Sequence, residues 1–152
     1  MTPLNNDQKE AIIRRISFIK EEMPDIDRNL DWTTYRLNKN IRKQTERTIE
    51  NISNALIDVA KLLLISENIR LPETYQETFL KLGELGIITQ DETKILAKCS
   101  RLRNILAHEY LDLRWPLIKE FVQDDIKTVE KIILTVENLI YVYYFIRKLQ
   151  LC

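Results

Sequence analysis

Residues 122–143, VQDDIKTVEKIILTVENLIYVY, set Val122, Ile126, Val129, Ile133, Val136, Ile140 and Tyr143 four and three positions apart in alternation. Side chains at that spacing fall on one stripe of an α-helix, and three unbroken heptads are the seam of a helix packed nearly parallel or antiparallel to a neighbour. The same rhythm recurs upstream. Ile12, Ile16, Ile19 and Met23 mark one face of a helix from about Asn6 to Met23, and Ile41, Thr45, Thr48, Ile52, Ala55, Val59 and Leu62 mark another from about Asp31 to Ser66.

Prolines and caps divide the chain between these stripes. Pro24, Pro72 and Pro116 separate helical blocks, because proline suits a first turn and disrupts an interior. A shorter helix after Pro72 ends at Gly83-Glu84-Leu85-Gly86, where glycine accepts a left-handed cap. Thr89 with Glu92 three residues on reads as a capping box opening a fourth helix, which runs to about His108 with Ile95, Cys99, Leu102 and Leu106 inward. The expected fold is all-α: one domain over residues 1–152, an antiparallel bundle of four or five long helices.

Composition agrees with that fold and narrows the function. Two glycines and four prolines in 152 residues leave little material for turns, and a 45% hydrophobic fraction is enough for one core. Basic and acidic residues number 23 each, so no global positive field holds a polyanion, and any nucleic acid must be gripped locally. Cys99 and Cys152 show no metal-ligand spacing, which implies reduced thiols, no metal site and no cofactor. The longest apolar run, Leu139 to Ile146, is far short of the roughly 20 residues that span a bilayer. The start of the chain lacks the order of a secretion signal, so a soluble cytoplasmic protein without membrane contact is expected.

Chemistry concentrates in the stretch Arg103-Asn104-Ile105-Leu106-Ala107-His108-Glu109-Tyr110, which ends six residues before Pro116 and holds the sole histidine of the chain. Imidazole exchanges protons near neutral pH without special tuning. On a helix, His108 falls roughly 150° from the centre of the inward stripe, so it faces away from the core. Asn104 shares its face, whereas Arg103 and Tyr110 share another about 140° away. One regular helix cannot aim all four at a point. Either the helix opens near its C-terminus, or a second copy of the chain brings its own Arg103 and His108 across a two-fold axis.

The string Arg103, four residues, His108, one residue, Tyr110 resembles the R-x4-H-x-Y motif of the HEPN superfamily, specifically the HepT-like toxins of HEPN/MNT toxin–antitoxin modules. Thr74-Tyr75-Gln76-Glu77-Thr78-Phe79, then Leu82 and Leu85-Gly86-Ile87-Ile88, resemble the segment that precedes the motif helix in that family. The likeness extends from about Asp31 to Tyr143. It implies a homodimeric helical bundle acting as a metal-independent endoribonuclease on tRNA or mRNA. In that role His108 transfers protons, Arg103 stabilises charge at phosphorus, and Asn104 orients the imidazole or contacts phosphate. It also implies an MNT-type nucleotidyltransferase antitoxin that adenylylates Tyr110.

Other features fit less specific roles. Arg36, Lys39, Arg42, Lys43 and Arg47 crowd the start of the second long helix with Glu46 as the one acid among them, a run able to hold an RNA backbone or an acidic partner. A noncatalytic subunit that binds a nucleotidyltransferase or a nucleotide keeps the same fold without cleavage. An assembly scaffold built on the last helix explains its heptads and leaves the polar cluster unexplained. Cys99 lies on the inward stripe and is a poor nucleophile there.

Overall fold

The computed structural model describes residues 4–108 and 111–150, with backbone alone at 111–113 and 143–147. Seven α-helices and no strand occur among the described residues: α1 Asn6–Glu22, α2 Trp32–Leu37, α3 Lys39–Ser66, α4 Tyr75–Glu84, α5 Gln90–His108, α6 Leu111–Glu120 and α7 Ile126–Gln150. The all-α bundle expected from the sequence is the observed architecture.

Helix α1 starts on a reciprocal cap: the Gln8 amide donates to Asn5 Oδ1 at 2.8 Å and the Asn5 amide to Gln8 Oε1 at 3.0 Å. Its Ile12, Ile16 and Ile19 are buried against α3, which lies at the centre of the molecule and presents Ile49, Ile52, Leu56, Leu63 and Leu64 to the core. The buried hydroxyls of Thr45 and Thr48 donate to the carbonyls of Ile41 and Gln44 at 2.9 and 3.0 Å, so these two are satisfied within their own helix.

The helix expected from Asp31 to Ser66 is in fact two. Asn38 is extended (φ −97°, ψ 105°), and its side chain accepts the amides of Asn40 and Ile41, ending α2 and capping α3. Asparagine competes for backbone donors in this way without disturbing the apolar spacing, so the periodicity hides the break. The second helix is therefore 28 residues, about 42 Å long.

The joint between α4 and α5 follows the sequence closely. Gly86 is left-handed at φ +72°, with the Ile87 amide donating to Leu82 at 3.2 Å. Thr89 and Glu92 form the expected box, at 2.8 and 3.1 Å. Gly83 has a separate role: a Cβ there would meet Thr93 Oγ1 at 2.4 Å, so the missing side chain is what lets α4 lie directly on α5.

Pro116 does not divide two blocks as expected. It lies within α6, and the boundary with α7 is instead a π turn at Phe121–Asp125. That wider turn keeps Phe121, Val122, Asp125 and Ile126 all buried while the stripe passes into α7. Val129, Ile133, Val136 and Ile140 are buried as their spacing requires, and Ile132 joins them; the side chain of Tyr143 lies outside the described residues.

Candidate active site

Helix α5 divides chemistry by face. Leu96, Cys99 and Leu102 are buried in the core, with Ile95 and Leu106 packed at its edge. Burial pushes the Cys99 thiol up to about 12, which keeps it protonated and unreactive. His108 and Asn104 are turned away from that core, His108 exposed, as the angular argument requires.

The helix stays α-helical from Gln90 through His108, so it does not open between Arg103 and His108. Arg103 and His108 accordingly leave α5 on faces roughly 140° apart. Arg103 turns toward α3 and α4: Nε donates to Asn54 Oδ1 at 3.0 Å, and the guanidinium lies 5.5 Å from the Tyr75 ring centre. Nη1 donates to Asn104 Oδ1 at 3.4 Å. No carboxylate lies within ion-pair distance of Arg103 among the described residues. Its charge is oriented by neutral groups and a ring face, and remains available to an anion.

Asn104 links this arginine to the other face. With His108 it lines an open groove of about 810 Å³ between α4 and α5, whose walls also carry Thr74, Tyr75 and Arg101. The structure therefore brings Arg103 and Asn104 together and sets Asn104 and His108 in one groove, while Arg103 and His108 do not converge within a single chain. Tyr110 lies outside the described residues.

The basic run, which spans the end of α2 and the start of α3, is partly committed to structure. The Arg36 guanidinium sits 5.5 Å from the Trp115 ring centre, and Arg42 Nη1 donates to the Arg36 carbonyl at 2.8 Å. Lys43 and Arg47 share a shallow depression with Glu46 and Glu50, and Lys39 is exposed beside it. No group of three His, Cys, Asp or Glu side chains placed to hold a metal ion occurs among the described residues. No described helix is long and apolar enough to cross a membrane.

Sequence reasoning missed Asn54 as a partner of Arg103. The signal available was a row of polar residues, Asn51, Asn54, Asp58 and Lys61, three or four apart in the mainly apolar second half of α3. Their partners lie on three different helices: Glu22, Arg103, Arg15 and the Tyr75 ring. The spacing marks the row, but which helix each residue meets is set only by the tertiary fold.

Comparison with known proteins bears on this geometry. A family model described as ribonuclease HepT-like matches residues 9–136, reaching further toward the N-terminus than the motif resemblance did. The mRNA nuclease HepT of Shewanella oneidensis is 24% identical over 125 residues, covering 82% of this chain and 94% of the relative. A crystal structure of a toxin–antitoxin with AMP-PNP shares the fold at TM-score 0.78 and 22% identity, over 85% of this chain and 98% of that one. A tri-AMPylated Shewanella oneidensis HEPN toxin in complex with MNT antitoxin does so at TM-score 0.66 and 21% identity, over 89% and 99%.

Proposed function

This chain belongs to the ribonuclease HepT-like family, and we propose that it is the toxin of a toxin–antitoxin pair: a homodimeric, metal-independent endoribonuclease cutting cellular RNA in the cytoplasm. The observation that carries this reading is Arg103. Among the described residues its guanidinium has no carboxylate partner; it is held by Asn54 and Tyr75 and joined through Asn104 to the face bearing an exposed imidazole. Arginine positioned without a carboxylate partner suits recognition of a phosphate.

Cleavage of RNA without a metal needs a base for the 2′-hydroxyl proton, an acid for the departing 5′ oxygen, and a cation beside phosphorus as charge builds. Because one regular α5 splays Arg103 from His108, a complete site calls for a second protomer across a two-fold axis. One imidazole then accepts the 2′ proton while the other protonates the leaving oxygen, and Arg103 stabilises the phosphorane. Asn104 holds the guanidinium in register. The 2′-oxygen attacks phosphorus as the bond to the 5′ oxygen breaks, which leaves a 2′,3′-cyclic phosphate and a 5′-hydroxyl.

The partner in this reading is an MNT-type nucleotidyltransferase that adenylylates Tyr110. The solved complex of a tri-AMPylated HEPN toxin with an MNT antitoxin supports it. An AMP group on Tyr110, seven positions beyond Arg103 in the sequence, adds a negative charge of the kind a guanidinium pairs with. That charge competes with substrate phosphate. The basic run Arg36, Lys39, Arg42, Lys43 and Arg47 supplies weaker, sequence-independent contact to RNA.

Two measurements test the reading. Purified chain in EDTA is expected to cut an oligoribonucleotide and spare the all-deoxy version of the same sequence, and dimers are expected by light scattering. Cleavage of both backbones, or a monomer that still cuts, contradicts it. Co-expression with the cognate nucleotidyltransferase is expected to add AMP to the wild type and none to Tyr110→Phe. A chain that binds the nucleotidyltransferase yet never cuts RNA supports instead a noncatalytic partner subunit.

A further inference from the structure

Lys94, Lys98, Arg101 and His108 follow one another along α5 at intervals of four, three and seven residues, and all four line the groove against α4. Those intervals hold a single face of the helix, so the cations form a ladder about 21 Å long that ends at the imidazole. No carboxylate is among the described residues lining this groove, although acids and bases are equal in number over the chain. Zero net charge is thus compatible with a locally positive concave surface.

The rungs are not equivalent. Lys98 is compensated, pairing with Glu120 and lying 3.5 Å from Asp125, so it contributes little free charge. The contact of Lys94 with Asp91 is long, at 3.9 Å, between side chains 69% and 96% exposed, and surface pairs of this kind are worth little. Arg101 is exposed and has no ion pair among the described residues. The facing wall offers Thr74 and Gln76, neutral groups that bond sugar hydroxyls and base edges, and Leu80, 44% exposed, gives an apolar surface between them.

We infer that this groove is the track along which a single-stranded RNA runs to the cleavage site, with Lys94 and Arg101 holding its phosphates and His108 at its end. The inference rests on the ribonuclease reading and goes beyond it, because it names the substrate-holding surface. A positively charged groove that follows one backbone and offers apolar and neutral polar contacts to bases is how single strands are held without strong sequence preference. A duplex is a poorer match, since its recognition spans successive grooves across a broad face.

The test measures binding apart from cutting. A fluorescein-labelled single-stranded oligoribonucleotide is titrated by anisotropy onto full-length His108→Ala protein over a series of salt concentrations, with and without Lys94→Ala and Arg101→Ala together. The pair of substitutions is expected to weaken binding at least tenfold at low salt. It should also flatten the slope of log K against log salt by about 1.4, roughly 0.7 for each phosphate that is no longer neutralised. Lys127→Ala with Lys131→Ala, on α7 away from the groove, is the charge-matched control and is expected to leave the slope unchanged.

A slope in the groove variant equal to that of the control overturns the inference. So does loss of nucleotidyltransferase binding with RNA binding intact, which assigns the groove to the protein partner. Cleavage by wild type in EDTA is scored separately. If wild type cuts and the groove variants bind as it does, the track fails while the ribonuclease stands. If wild type never cuts and the groove variants lose RNA, the track stands and the ribonuclease fails. Absence of both cutting and binding overturns both.

Discussion

Two regions of this chain carry clustered cations, and they differ in what surrounds the charge. Across the joint of α2 and α3, Arg36 is laid on Trp115, Arg42 is bonded to a backbone carbonyl, and Glu46 and Glu50 sit among the remaining bases. Along α5, Lys94 and Arg101 line a concave groove with no carboxylate among its described lining residues, and Arg103 is fixed by an amide and a ring face. The first run is the denser in sequence and shares its depression with two carboxylates; the second lies along a groove whose described lining residues include none. Density along a chain measures how many cations a region holds, whereas binding depends on how many stay uncompensated at a surface shaped to receive a backbone.

The largest expected effect separates the regions outright. Arg103→Ala is expected to lower kcat/KM for RNA by about a thousandfold, the scale seen when a group stabilising transition-state charge is removed. Far-ultraviolet circular dichroism should be unchanged. A loss under tenfold shows that the α5 arginine is no more important than those of α3.

The support beneath the groove comes next. Gly83→Ala places a methyl group against Thr93 Oγ1, 2.4 Å from the ideal position, and forces α4 away from α5. A stability loss of roughly 1–3 kcal/mol in urea melts is expected, with RNA affinity falling as the groove spreads. Adding Thr93→Ala should recover part of that stability, and a double variant that recovers none shows that the contact is not the cause.

Positioning effects are smaller. Asn54→Ala removes the 3.0 Å bond that orients Arg103 and is expected to lower kcat about tenfold with little change in KM. Equal losses for Asn54→Ala and Asn51→Ala, whose partner is Glu22, show a structural role only. Smallest of all, Lys39→Ala with Lys43→Ala should weaken RNA binding less than about threefold, and a larger effect reverses the ranking of the two basic regions.

Cys99 supplies a check on the inward face of the same helix. Its thiol is raised from 9.0 to about 12, so the unfolded chain releases this proton first as pH rises. The contribution is intact below about pH 9 and is lost above it, costing roughly 1 kcal/mol by pH 10. Urea melts at pH 8 and pH 10 measure it against Cys99→Ala. An equal drop in both proteins assigns the alkaline loss to other groups.

Local signals were legible in the sequence and long-range ones were not. The α1 stripe, the Gly86 cap, the Thr89–Glu92 box and the outward face of His108 each depend on residues within a few positions of one another, where spacing alone fixes geometry. Asn38 broke a helix that its apolar pattern ran straight through, because capping acts on backbone donors and leaves the stripe untouched. Pro116 sat inside α6 because a π turn, which has no simple spacing signature, took over as the boundary. The Arg103–Asn54 bond joins residues 49 positions apart and needed α3 and α5 to be placed. Lys94 and Arg101 belong to no motif, and it takes α4 opposite to make their face of α5 the wall of a groove.

The most direct test of the central claim is the chemistry of the cut ends. EDTA-treated protein incubated with a defined oligoribonucleotide should yield fragments ending in 2′,3′-cyclic phosphate and beginning with 5′-hydroxyl, as read by mass spectrometry, and His108→Ala should yield none. Fragments with 5′-phosphate ends, or cutting undiminished in His108→Ala, contradict it.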